Sequence, residues 1–521
     1  MRWKALSAFA AHIAALCAFL VSLSASAAPT LRTLDSVNVG EYSSLKVDAS
    51  GRPVISYYDR GNGDLKLVRC SDATCTSATP VTLDGPTDVG QYSSLQLTAA
   101  GNPVISYYDA NGFDPNLKIA VCGDPGCLTS TIVLLDNTGF LPIGRFTSLR
   151  LSPTGVPVVA YADLNAGGQL KLVRCQTTTC STVHPPVVID DPATLTGSYA
   201  SLALDGDIPV ISYYDDFNGD LRLARCTDAA CSGVTRSTLD ASGTVGLHTS
   251  IQLNGSNPVI SYYDQSSDQL KLAACANPAC GAVAIRILST GGGQFSSLHL
   301  GPTGNPIVSF RGSGSSLRLA VCHDPTCAAV TVSTVDTGNT GFDTSLALGA
   351  NGMPVVSYHD ATATSLRLAA FALATVTSVA VPAAGNYLTG QALEFQVHWS
   401  ENVTVTGTPQ LEIDIGGTLR TVSYTSGSGT SIHTFSYTVI ATDQDLDGIA
   451  LGNIVPSGGT LRDGAGLDAE IGLTGVGSTA LVRVNALALP TTATAIPTLS
   501  DWMLLLLATL MLPAALLRKR Q

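Results

Sequence analysis

Twelve cysteines stand as six pairs of a single spacing, Cys70/Cys75, Cys122/Cys127, Cys175/Cys180, Cys226/Cys231, Cys275/Cys280 and Cys322/Cys327. Thiols at Cys-x4-Cys can close a disulfide, run thiol exchange, or supply half of a tetrahedral zinc site. Zinc needs four ligands to converge, yet successive pairs fall in successive copies of a repeat. Six near-identical copies favour a structural role over a redox centre. The expectation is six disulfides, each across the base of an outer turn. The thirteenth cysteine, Cys17, lies in an N-terminal leader.

Carboxylates form the second set. Asp59, Asp109, Asp163, Asp215, Asp264 and Asp360 occupy one position of the repeat, and the remaining copy has Arg311-Gly312 there instead. Gathered at one end of an axial channel, these groups would make a broken ring able to hold a cation or a polar ligand, with Arg311 as its point of asymmetry. The competing reading is that each Asp accepts N–H groups of its own turn and recurs because the turn recurs. A third set, Asp443, Asp445 and Asp447 before Gly448, imitates the first half of a calcium loop. Ile454 stands at the twelfth position, where a bidentate Glu is required, so an EF-hand is rejected; no cofactor is expected, and a looser calcium site on these carboxylates is the alternative to a solvated acidic turn.

Nothing else reads as a catalytic constellation. There is no Gly-x-Ser-x-Gly elbow and no phosphate loop, and the histidines lack ligand spacing. On that ground the chain is expected to be no enzyme. The alternative, a polysaccharide hydrolase or lyase, stays open because paired carboxylates come from distant positions.

The element order that must position these groups is a repeat. The unit runs Gly-x-Tyr-(Ser/Thr)-Ser-Leu, then Gly-x-Pro-Val-Ile-Ser-Tyr-Tyr-Asp, then Leu-Lys-Leu, then the cysteine pair and an apolar run ending in Asp. Its marker prolines are Pro53, Pro103, Pro157, Pro209, Pro258, Pro306 and Pro354. Each copy holds four strand-like runs, and Pro-Val-Ile-Ser-Tyr-Tyr is apolar enough to be buried on both faces. Seven such units of about 50 residues predict an all-β, seven-bladed β-propeller with four-stranded blades. The segment Leu31-Arg32-Thr33-Leu34-Asp35 matches a fourth strand ahead of the first copy, so it is expected to close blade seven. The tyrosine pairs, among them Tyr57/Tyr58 and Tyr262/Tyr263, are expected in the core.

From about residue 374 the period ends and an alternating pattern begins, as in Leu393–Trp399, Gln410–Ile415 and Thr434–Val439, which predicts an antiparallel β-sandwich. Composition agrees with turn-rich β structure: 50 Gly and 26 Pro, with only 13% charged residues. A net charge of −12 and the lack of a basic cluster away from the two ends exclude a nucleic-acid partner.

The ends read as addresses. Arg2 and Lys4, an apolar stretch and Ala25-Ser26-Ala27 follow the order of a cleaved secretory signal. At the other end Ile496-Pro497-Thr498-Leu499-Ser500-Asp501-Trp502 precedes a short apolar stretch and Arg518-Lys519-Arg520. This tail resembles the IPTL-CTERM sorting signal of Gram-negative bacteria, with Asp501 where Glu is usual. The resemblance implies an exosortase-type sorting enzyme as partner and a transient membrane contact. The stretches Ser400–Pro409 and Tyr424–Gly429 resemble Ig-like repeats of large bacterial adhesins, which implies a spacer or adhesive module.

The domain reading is a signal peptide at 1–27, the propeller at 28–373, the Ig-like sandwich at 374–485, a linker at 486–495 and the sorting tail at 496–521. The functional expectation is a non-enzymatic binding or adhesion protein at the cell surface, with envelope or matrix polysaccharide or protein as partner. Besides the polysaccharide enzyme, a structural component of extracellular matrix is the other alternative.

Overall fold

The structure, a computed structural model, describes residues 29–486 except 112–114, 138–140, 166–167 and 191–194. The signal and the sorting tail, with nearly all of the linker, therefore lie outside the described residues. What is described is all-β. No described helix is long and apolar enough to cross a membrane.

Residues 30–370 form seven four-stranded antiparallel sheets in a propeller-like array. Sheet one shows the plan: Val39–Val47 innermost, then Pro53–Asp59, Asp64–Cys70 and Ala78–Asp84. The second strand is buried along its whole length, because neighbouring sheets cover both of its faces. Between sheets one and two, for example, Val54, Leu65 and Leu67 meet Val89, Leu95, Ile105 and Tyr107. Each such side chain contributes roughly 1.5–3 kcal/mol on leaving water.

Sheet seven joins the two ends of the array. Its strands are Phe342–Leu348, Pro354–Asp360 and Ser365–Ala370, and its outermost strand is Thr30–Asp35, paired antiparallel so that Thr30 faces Ala370. The edge that an open array would expose is thereby paired.

A hydrogen-bonded girdle explains the recurring Ser-Leu. The hydroxyls of Ser44, Ser94, Ser148, Ser201, Ser250, Ser297 and Ser345 accept the N–H of Leu95, Leu149, Leu202, Ile251, Leu298, Leu346 and Leu45. Each bond runs from one innermost strand to the next, and the last returns to the first. The glycine two residues before each inward-turned side chain described below lets the innermost strand approach the third strand of the preceding sheet. At Gly40 (φ +100°) a Cβ would sit 2.7 Å from the Leu366 backbone.

The six expected disulfides are formed: Cys70–Cys75, Cys122–Cys127, Cys175–Cys180, Cys226–Cys231, Cys275–Cys280 and Cys322–Cys327, with Cα separations of 4.7 to 5.0 Å. Their place in the turn differs from the expectation. Across the base of the turn the partner of Cys70 is Ala78, and in the same way Cys122 faces Ser130 and Cys322 faces Val330. The second cysteine of each pair therefore lies inside the turn, short of the fourth strand. The reason is a tight reversal: the Cys75 N–H donates to the Asp72 carbonyl at 3.1 Å, and the Cys127, Cys180, Cys231, Cys280 and Cys327 N–H groups donate likewise to the carbonyl three residues back. These six cysteines have φ between 52° and 56°, which carries each sulfur back over the end of the third strand. Both cysteines of every pair are buried among the apolar side chains between sheets.

Residues 376–485 build a seven-stranded sheet and a three-stranded one around Phe395, Trp399, Leu411 and Phe435. In Ala392–Thr406 buried and exposed residues alternate, as the pleat demands of a half-buried strand. Ala465 and Leu467 leave this unit to pack against Ile307, Val321 and Phe371 of the repeat array.

Candidate functional site

Every innermost strand carries a bulge, and the bulged residue has a positive φ: Tyr42, Tyr92, Phe146, Tyr199, His248, Phe295 and Asp343, at 47° to 55°. For a non-glycine residue this conformation costs roughly 1–2 kcal/mol, so the array accepts it seven times. The bulge turns these side chains toward one another. Neighbouring ring centroids lie 4.5 Å (Tyr42 to Tyr92), 4.7 Å, 4.6 Å, 4.3 Å and 4.5 Å apart through to Phe295. At the seventh place Asp343 accepts the Tyr42 N–H at 3.0 Å and completes the circle. A cavity of about 190 Å³ is lined by this circle and by hydroxyls such as Ser43, Ser93 and Thr147. A second of about 490 Å³ adds Gln294 and Phe342.

Burial perturbs several titratable groups, and Asp343 is the carboxyl among them that belongs to the circle. Burial pushes the Asp343 carboxyl up to about 6, the Tyr42 N–H opposing and the Glu41 charge adding to it. Glu41, next to Tyr42, is itself raised by burial despite Arg60 at 3.4 Å. Asp216 is likewise pushed up to about 6 by burial. Burial takes His248 down to about 3, so its imidazole is neutral and acts as another flat ring. A carboxyl that keeps its proton toward neutral pH is suited to proton donation.

The six repeated aspartates lie elsewhere. Each is buried beneath its own turn, and Asp59 accepts the Asn62 N–H at 3.1 Å while Asp163 accepts that of Asn165 at 2.8 Å. Each also meets a cation of the third strand, as in Lys66 to Asp59 at 3.3 Å, Lys118 to Asp109 at 2.7 Å and Lys271 to Asp264 at 2.7 Å. Asp215 and Asp360 face Arg222 and Arg367 in the same way. A second aspartate, from the end of the preceding sheet, completes the group: Asp240 accepts the Tyr262 hydroxyl at 2.8 Å and Lys271 at 3.2 Å. The repeat thus places a Tyr–Asp–cation–Asp junction between adjacent sheets. The first tyrosine of each pair is fully buried for this reason.

The junction before sheet six breaks the pattern at three positions. Phe310 replaces the tyrosine, Gly312 the turn aspartate, and Ser289 the partner aspartate. Arg318 remains without an ion pair to any described residue. Arg311 does not join a carboxylate ring. It stacks over Phe342 at 4.2 Å and donates to Asn339 at 2.9 Å.

In the second unit Asp443 is spent on Arg420, the Tyr437 hydroxyl and the Ile440 N–H. Asp445 accepts from Gly416 and Gly448, and Asp447 is exposed. Among the described residues no three His, Cys, Asp or Glu side chains are grouped to hold a metal ion.

The aromatic circle is what the sequence reading missed. Its signal was present: an aromatic or His two residues after a glycine in six copies, with Asp343 in the seventh.

No family model matches the chain, and no curated protein matches it. Solved structures do. A protein of unknown function from Dyadobacter fermentans is 13% identical over 66% of this chain and 99% of its own, with a TM-score of 0.40. A PL25 ulvan lyase is 11% identical over 66% and 95%, with a TM-score of 0.44. The NanB sialidase of Streptococcus pneumoniae is 10% identical over 66% and 70%, with a TM-score of 0.39. A puromycin hydrolase is 13% identical over 70% and 59%, with a TM-score of 0.43. The expectation of a non-enzymatic chain is corrected by these matches, three of which are enzymes. It rested on missing local motifs, and residues brought together from separate sheets, as Tyr42 and Asp343 are here, leave no such motif. At such identities the likeness concerns the fold, and no reaction carries over with it.

Proposed function

We propose that the chain is a polysaccharide-cleaving protein, a hydrolase or a lyase, with the aromatic circle as its sugar-binding floor and Asp343 as the proton donor. The supporting observation is one carboxyl, raised to about 6, set in a circle with six mutually tilted, contacting rings at the centre of the array. Flat aromatic faces suit the apolar faces of sugar rings, and the surrounding hydroxyls suit their polar edges. A protonated carboxyl serves the departing glycosidic oxygen, and Glu41 is the adjacent carboxylate for a base.

In this reading the array is a closed seven-bladed propeller and the second unit an Ig-like spacer. The six disulfides fit an oxidising, extracellular compartment. Export by the N-terminal signal, sorting by the Ile496–Trp502 motif through an exosortase-type enzyme, and display on a Gram-negative envelope complete the proposal.

The test is turnover on a panel of neutral, uronic and sulfated polysaccharides, read as new reducing or unsaturated chain ends. Asp343→Asn should abolish product while leaving oligosaccharide binding. Saturable binding without product in the unaltered chain would sink the catalytic reading.

A further inference from the structure

Four residues beyond the aromatic circle, about 13 Å further along each innermost strand, the side chains change character. That position is Lys46 in sheet one, Arg150 in sheet three and His299 in sheet six, with amides at Gln96 and Gln252 and alanine in the other two. The serine girdle two residues earlier holds all seven strands in one register, so these side chains share one level. Lys46 makes neither hydrogen bond nor ion pair to any described residue. Arg150 and Gln96 both donate to the Leu149 carbonyl at 2.9 Å, and His299 Nδ1 meets the Leu300 carbonyl at 2.9 Å.

Three cationic or protonatable groups thus converge with no carboxylate among them, in a chain of net charge −12. At the sheet junctions the same chain gives six of its third-strand cations two aspartates each, Arg318 being the exception. Burial, then repulsion from Arg150, takes the Lys46 ammonium down to about 7. Burial alone takes Arg150 down to about 10, and burial with the charges of Lys46 and Arg150 lowers His299 despite the Leu300 carbonyl. Enclosed charge of one sign is costly unless an opposite charge arrives. The guanidinium and ammonium donors match the acceptor oxygens of a tetrahedral or planar oxyanion.

We propose that this end of the axial channel is a binding site for a small oxyanion of sulfate or phosphate size, held by Lys46 and Arg150 with His299 as the third contact. It is separate from the proposed sugar site and stands whether or not that reading holds.

The experiment is calorimetric titration of the full chain with sodium sulfate in a buffer of a bulky organic anion. One saturable site is expected. Lys46→Met and Arg150→Met should each weaken sulfate at least tenfold, whereas Arg318→Gln, which removes an unpaired cation at a sheet junction, should leave it unchanged. Selenate soaked into crystals of the unaltered chain provides a readout independent of variant folding, through an anomalous peak between Lys46 and Arg150. Absence of saturable sulfate binding, unchanged affinity in Lys46→Met, or a selenate peak only outside the channel would overturn the proposal.

Discussion

The Ser345 hydroxyl accepts the backbone N–H of Leu45 at 2.9 Å, joining positions 300 residues apart in the chain. The same bond links Ser94 to Leu149 at 3.0 Å within the array. If closure is one more junction of equal kind, Ser345→Ala and Ser94→Ala should cost the same, about 1–2 kcal/mol each, from an enclosed N–H left without its acceptor. Urea unfolding of the two variants measures this. A much smaller cost at Ser345 would mean that the ends are held by the Thr30–Asp35 strand alone.

The junctions between sheets offer a contrast already present in the chain. Burial pushes the Asp240 carboxyl up, but hydrogen bonds from Ser242 and Tyr262 and the Lys271 charge hold it below the ordinary carboxylate value. Its folded value is therefore below its unfolded one, near 3.9. The stability it contributes is present above that pH and is lost as pH falls through the folded value. Tyr262→Phe should cost about 1–2 kcal/mol at neutral pH and less in acid. At the natural exception, Ser289→Asp should give Arg318 a partner and raise stability by up to about 1 kcal/mol, read as a higher midpoint in thermal unfolding.

Asp343 has the opposite sign. Its folded value of about 6 exceeds the unfolded value, so the folded state favours the neutral acid. The cost of ionising it is absent below about pH 4 and complete above about pH 6. Asp343→Asn should therefore raise stability by about 1–2 kcal/mol at neutral pH and leave it unchanged near pH 4. Turnover should vanish in the same variant. Equal stability at both pH values would show that the carboxyl is not perturbed.

Removing one staple tests how local the disulfides are. Cys175→Ser with Cys180→Ser should cost about 2 kcal/mol and open the Cys175–Cys180 turn to protease while the remaining sheets stay protected. Global loss of protection would assign the bridges a larger role than their small loops suggest.

Mass analysis of the mature chain checks both addresses. The expected species starts after Ala27 and ends upstream of the Arg518–Arg520 cluster. An intact C-terminus would remove the sorting step from the proposal.

Much of the architecture is local information. The 50-residue period, the apolar second run and the Cys-x4-Cys spacing are statements about neighbours in sequence. A strand or a five-residue bridge answers to such neighbours, so the all-β repeat of four-stranded sheets and the bonded cysteine pairs were readable from residues alone. Where the second cysteine sits was not, because spacing says nothing of the left-handed φ that folds Cys75 back inside its turn. The tyrosines of the second run could be placed in the core, since a strand covered on both faces buries both of its side-chain rows.

The chemistry was not local. Tyr42 and Asp343 meet only because seven bulged strands turn inward around one axis, and no window of sequence contains both. The turn aspartates recur because the turn recurs, as one of the two sequence readings had it, but only the structure shows the junction in which Lys66, Asp59, Asp35 and Tyr57 satisfy one another. Burial, which takes Asp343 up and Lys46 down, is a property of packed neighbours from distant copies. Composition and period thus settle which elements form, while the surroundings that give a carboxyl or an ammonium its reactivity exist only once the circle is closed.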